Sequence, residues 1–170
     1  MEVARRFFLR GKGADLANAD TLHSSVDILV VDDFEPWRHH VCSILQKRPG
    51  LRVVAETVDG LEAVQKAQEL KPDLILLDIG LPNLSGIQAA NRIRQVAPGA
   101  KIIFLTQNSN KAVVQAGLST GAQGYVLKTD AERELLAAVA AVLGGDDFVS
   151  SGIQGADLLR QLRTPCADLP

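Results

Sequence analysis

Five short, wholly apolar runs alternate with amphipathic stretches from Val26 onward, and this alternation predicts an α/β domain built on a doubly wound parallel sheet. The runs at 28–31, 53–55, 74–77, 102–105 and 125–127 are continuous rather than alternating, as strands covered on both faces require. Right-handed crossovers leave few ways to connect five such strand–helix units. A (βα)5 chain of this length favours the strand order 2-1-3-4-5, the flavodoxin-like arrangement.

Each element has its own local signals. Residues 1–25 mix Gly, Ala, Asn, Asp and Ser without periodicity and are expected to be a flexible arm. The first strand, Ile28-Leu29-Val30-Val31, ends in Asp32-Asp33, and Pro36 suits the first turn of the helix that follows. That helix places Trp37, Val41, Ile44 and Leu45 on one face. After the second strand, Asp59 and Glu62 have capping-box spacing. The third strand, Leu74-Ile75-Leu76-Leu77, opens at Asp78 into a turn, and the next helix aligns Ile87, Ala90, Ile93 and Ala97. The fourth strand ends at Thr106 and the fifth at Lys128. Thr129 and Glu132 have the capping-box spacing for the last helix, whose stripe is Leu135, Leu136, Val139, Val142 and Leu143. Gly144-Gly145 stops it. The domain is expected to span 26–147. A linker and short C-terminal helix, Ile153 to Leu162, are expected within 148–170.

Composition excludes several classes. With 170 residues, the chain holds one domain plus tails. A net charge of −2 gives no broad basic field, so nucleic acid is not an expected partner of this chain. No apolar stretch approaches the roughly 20 residues of a membrane span, and none has the form of a secretory signal. Cys42 and Cys166 form neither a disulfide framework nor a metal pair, which fits a reducing cytoplasm. His39, His40 and Cys42 lack a further ligand, and Gly11-Lys12-Gly13 follows no strand.

The chemistry concentrates at strand ends. In the expected sheet, ligands bind beyond the carboxyl ends of the strands, at the switch between the first and third. Asp32, Asp33 and Asp78 meet there, and three carboxylates repel one another unless a cation intervenes. Mg²⁺ suits such a site, being content with oxygen ligands, few carboxylates and several waters. Asp33 and Asp78 can each give one oxygen, and a loop carbonyl such as that of Gly80 another. Lys128 supplies a mobile cation and Thr106 a hydroxyl donor. Together these groups make a phosphoryl-transfer site of positioning and charge neutralisation. Asp78, alone on the central strand, is the expected nucleophile, whereas Asp32 and Asp33 are better placed to hold metal.

From Val26 to Asp147 the chain resembles the receiver domain of bacterial two-component response regulators. The matching motifs are Val31-Asp32-Asp33, Asp78 to Gly86 (DIGLPNLSG), Leu105-Thr106, and Gly121 to Lys128 (GAQGYVLK). Their form is most similar to the NarL/FixJ class. The resemblance implies that Asp78 takes a phosphoryl group from a phosphohistidine on a sensor histidine kinase or phosphotransfer protein. Asp32, acting through water, Asp33, Asp78 and the Gly80 carbonyl would hold Mg²⁺. Lys128 would pair with the phosphoryl group, and Thr106 and Tyr125 would form a switch pair. Phosphate adds about −1.5 to −2 charges, and the fourth helix, fifth strand and fifth helix form the face expected to respond. Output is expected through an unknown protein or through homodimerisation on phosphorylation.

Three departures stand out. Gln107 replaces a small residue beside the phosphoryl site, and Thr129 replaces a proline after Lys128. The residues beyond Gly145 are too few for the helix-turn-helix domain that NarL/FixJ proteins carry. The expectation is therefore a phosphoacceptor switch rather than an enzyme, with the receiver part of a DNA-binding regulator as the alternative. A hydrolase working through an aspartyl phosphate would need a carboxylate two residues past the nucleophile, where Gly80 stands.

Overall fold

The computed structural model describes residues 25–153. The expected N-terminal arm up to residue 24 lies outside them, as does the expected C-terminal helix, Ile153 to Leu162, apart from its first residue. The elements are β1 (Val26–Val31), α1 (Glu35–Gln46), β2 (Leu51–Thr57), α2 (Gly60–Leu70), β3 (Leu74–Leu77), α3 (Gly86–Val96), β4 (Lys101–Thr106), α4 (Lys111–Ser119), β5 (Gly124–Leu127), α5 (Ala131–Leu143) and β6 (Phe148–Val149). The sheet is parallel throughout with order 2-1-3-4-5-6. The flavodoxin-like order holds for five strands, and a sixth joins beside β5.

That sixth strand lies in a stretch whose sequence reads as linker. Two apolar residues between Asp146-Asp147 and Ser150-Ser151 are too few to give a periodic signal. Tertiary pairing makes the strand instead. The Phe148 amide donates to the Gln123 carbonyl at 2.9 Å, and the Ser150 amide to the Tyr125 carbonyl at 2.8 Å.

Side chains alternate across each strand, so the sheet buries two separate apolar layers. Leu29, Val31, Ile75, Leu77, Ile102 and Phe104 face one side, packed by Ala63 and Ala67 of α2, Ala90 and Ile93 of α3, and Val114 and Leu118 of α4. Ile28, Val30, Leu74, Leu76, Ile103 and Leu105 face the other, under Val41, Ile44 and Leu45 of α1 and Leu135, Val139 and Val142 of α5. β3 is buried along its whole length, which is why its sequence is apolar without alternation.

The caps agree with the sequence in part. The Asp59 carboxylate accepts from the amides of Leu61 and Glu62 at the start of α2, and Pro36 sits in the first turn of α1. Thr129 does not cap α5: it lies inside a 3₁₀ turn, Lys128–Asp130, that carries β5 directly into the helix. A reciprocal capping box forms instead at α3, between Ser85 and Gln88. Among the described residues no helix is long and apolar enough to cross a membrane.

Candidate functional site

The carboxyl ends of β1, β3, β4 and β5 open into one cleft of about 840 Å³. Asp33, Asp78, Gly80, Thr106, Gln107 and Lys128 line it, with Phe34 and Trp37 from the start of α1 forming a wall. Carboxylate oxygens of Asp32, Asp33 and Asp78 all lie within 4.8 Å of one another. The parallel register explains the meeting, since Val31 is level with Leu77 and the next residue on each strand is an aspartate.

Each group is held differently. Asp78 is 8% exposed. Its Oδ1 accepts from the Ile79 amide at 2.7 Å, and its Oδ2 receives the Lys128 ammonium at 3.0 Å. Asp32 is buried; its Oδ1 accepts from the Phe34 amide at 2.9 Å, and its Oδ2 pairs with the same ammonium. Burial holds the Asp32 carboxyl above the usual carboxylate range, against the opposing pull of Lys128. Asp33 is exposed at the rim, and Gly80 lines the cleft beside Asp78. The helix after Asp78 presses close. A Cβ on Gly86 would stand 1.9 Å from the Asp78 carbonyl oxygen, so only glycine fits there.

Thr106 lines the cleft, and Tyr125 lies buried beneath it. The Thr106 hydroxyl accepts from the Asn108 amide at 3.1 Å, and the Tyr125 hydroxyl donates to the Asn108 carbonyl at 3.0 Å. The tyrosine ring is fully buried, tilted against Phe104, and packs over Gly117, where a Cβ would meet the ring at 3.2 Å. Burial pushes its phenol up to about 12, with the Thr106 hydroxyl opposing.

Every site residue picked out in the sequence lies in or beneath this cleft. Two further residues join them. Arg38 of α1 donates from Nη1 to the Asp32 carbonyl at 2.8 Å and pairs with Glu56. Asn108 links Thr106 to Tyr125 through its backbone, which no side-chain pattern could announce. His39 and His40 pair with Glu35 and Glu132 at the surface, away from any common ligand.

The donor set fits a hard divalent cation. Three carboxylates face one ammonium, so an excess of negative charge remains, and the rim position of Asp33 leaves room for water.

A family model, the response regulator receiver domain, matches residues 28–140. The chain belongs to that family. It is 33% identical over 132 residues to the transcriptional regulatory protein DegU of Brevibacillus brevis, covering 78% of this chain and 56% of that protein. It is 34% identical over 122 residues to the response regulator protein VraR of Staphylococcus aureus, covering 72% and 58%. The receiver thus spans a little over half the length of the curated relatives it matches. Among solved structures, a LuxR-family response regulator from Aurantimonas sp. superposes with a TM-score of 0.71 at 32% identity, covering 82% of this chain and 96% of that one. The isolated receiver domain of RcsB from Salmonella enterica serovar Typhimurium, determined with the phosphomimetic BeF₃⁻, gives a TM-score of 0.71 at 25% identity, covering 81% and 98%.

Proposed function

We propose that this receiver takes a phosphoryl group on Asp78 from a phosphohistidine of a sensor histidine kinase or phosphotransfer protein, in the cytoplasm, and passes the signal on through protein contacts. One observation carries the reading: the Asp78 carboxylate is oriented at both oxygens, by the Ile79 amide and by Lys128, yet faces an open cleft. Asp32 through water, Asp33, Asp78 and the Gly80 carbonyl would hold Mg²⁺, which neutralises charge on the transferring group. The phosphoryl group leaves the donor nitrogen as one Asp78 oxygen bonds to phosphorus, and the donor imidazole keeps the bonding electron pair. Lys128 turns from the carboxylates to the new phosphoryl oxygens, and the Thr106 hydroxyl donates to one of them.

Tyr125 is the partner of Thr106 in the switch. Its inward ring and its bond to Asn108 tie it to the loop that Thr106 begins, so movement of the hydroxyl is felt at β5. The face of α4, β5 and α5 then presents a changed surface to an output protein or to a second copy.

With Mg²⁺ and acetyl phosphate, the intact protein should gain one phosphoryl group, and Asp78→Ala should gain none. Beryllofluoride should quench or shift Trp37 fluorescence in the wild type alone. A wild type that binds Mg²⁺ yet shows neither mass gain nor a Trp37 response sinks the reading.

A further inference from the structure

Lys128 has a third neighbour besides its two carboxylates. Its ammonium stands 5.5 Å from the centroid of the Trp37 ring, inside the range at which an aromatic face attracts a cation. Trp37 lies in the first turn of α1, which Arg38 fastens to the strand end through the Asp32 carbonyl. The indole Nε1 is buried without a hydrogen-bond partner, so what the ring offers is its face rather than its polar edge.

Resting on the phosphoacceptor reading above, we propose that Trp37 is a positioning residue for phosphoryl transfer, acting through Lys128. The ammonium is bound to Asp32 and Asp78 in this state and must turn to phosphoryl oxygens as they arrive. A lysine stem is flexible, and solvent competes for its head. The indole supplies an attraction that is neutral and takes no N–H donor away from an oxygen. It therefore keeps the cation in the cleft on both sides of the step without favouring either set of partners. A carboxylate in the same place would hold Lys128 back, and an aliphatic side chain would leave it free to swing out.

The test is a double-mutant cycle on the full chain, read as the initial rate of phosphorylation by acetyl phosphate with Mg²⁺ and measured by intact mass. Trp37→Leu should lower the rate about fivefold, while Trp37→Phe, which keeps an aromatic face, should stay within about twofold. In a Lys128→Met background, Trp37→Leu should cost almost nothing further, because the group it positions is gone. Trp37→Met serves if the leucine variant does not fold, and thermal melting identifies folded variants. Losses that multiply in the double mutant, or a Phe variant as slow as the Leu variant, overturn the proposal while leaving Asp78 as phosphoacceptor. A wild type that takes no phosphoryl group overturns both.

Discussion

At the scale of single residues, Tyr125 gives the sharpest physical readout. It is the only tyrosine in the chain, so the phenolate absorbance reports this ring alone. An ordinary tyrosine ionises near pH 10, whereas burial pushes this one up to about 12. The neutral form is thus favoured by the folded protein, and the resulting stability is fully present below pH 10 and lost as pH rises through 12. Ultraviolet titration of the folded protein should show a midpoint near 12, falling to about 10 in denaturant. A midpoint near 10 in the native state would mean the ring is not held inward. Asp32, Asp33, Asp78, Thr106 and Lys128 were legible because each polar side chain interrupts an apolar run at its end, where a sheet of this kind binds ligands. Arg38 was not legible, since an arginine on an amphipathic helix reads as a solvated face until its Nη1 is seen on a backbone carbonyl.

At the scale of elements, the four internal strands β1, β3, β4 and β5 were legible because burial on both faces forces continuous apolar runs, while the edge strand β2 showed only the short run 53–55. Helix starts were less so. Thr129 and Glu132 have the spacing of a capping box, but the chain leaves β5 through a 3₁₀ turn that absorbs Thr129. The box that does form, Ser85 with Gln88, puts its hydroxyl on the Gln88 amide and returns the Gln88 side chain to the Ser85 amide. Ser85→Ala should therefore cost about 1 kcal/mol, measured as a lower urea midpoint at unchanged slope. The consequence extends beyond stability, because α3 starts hard against the Asp78 carbonyl at Gly86. Fraying of its first turn loosens the loop that orients Asp78. β6 shows the opposite limit of sequence reading. Its two residues carry no pattern, yet Ile153 just beyond is 3% exposed and packs in the same layer as Tyr125 and Leu127. Ile153→Ala should destabilise by about 2–4 kcal/mol in equilibrium unfolding, the range for a buried isoleucine. A neutral result would mean that the segment after α5 does not belong to the folded unit.

At the scale of the whole molecule, the fold and the site make opposite demands, and the proposed cation would reconcile them. The parallel register that buries both apolar layers also aligns Val31 with Leu77, and so brings Asp32 and Asp33 against Asp78. The sheet cannot form without gathering these charges. Lys128 offsets part of the repulsion, and the proposed Mg²⁺ would offset the remainder. Two effects of opposite sign follow. Without Mg²⁺, Asp33→Asn relieves repulsion and should melt at the same temperature as the wild type or above it. With Mg²⁺ the order should reverse, because the ion binds the native state and stabilises it by RT ln(1 + [Mg²⁺]/Kd), about 1.4 kcal/mol at ten times Kd. The wild-type melting temperature should rise steadily with Mg²⁺, whereas that of Asp33→Asn should barely move. Crossing of the two melting curves is the signature of a metal site built from mutual repulsion. Parallel curves, with the mutant displaced by the same amount at every Mg²⁺ concentration, would show that Asp33 contributes to stability without holding the ion.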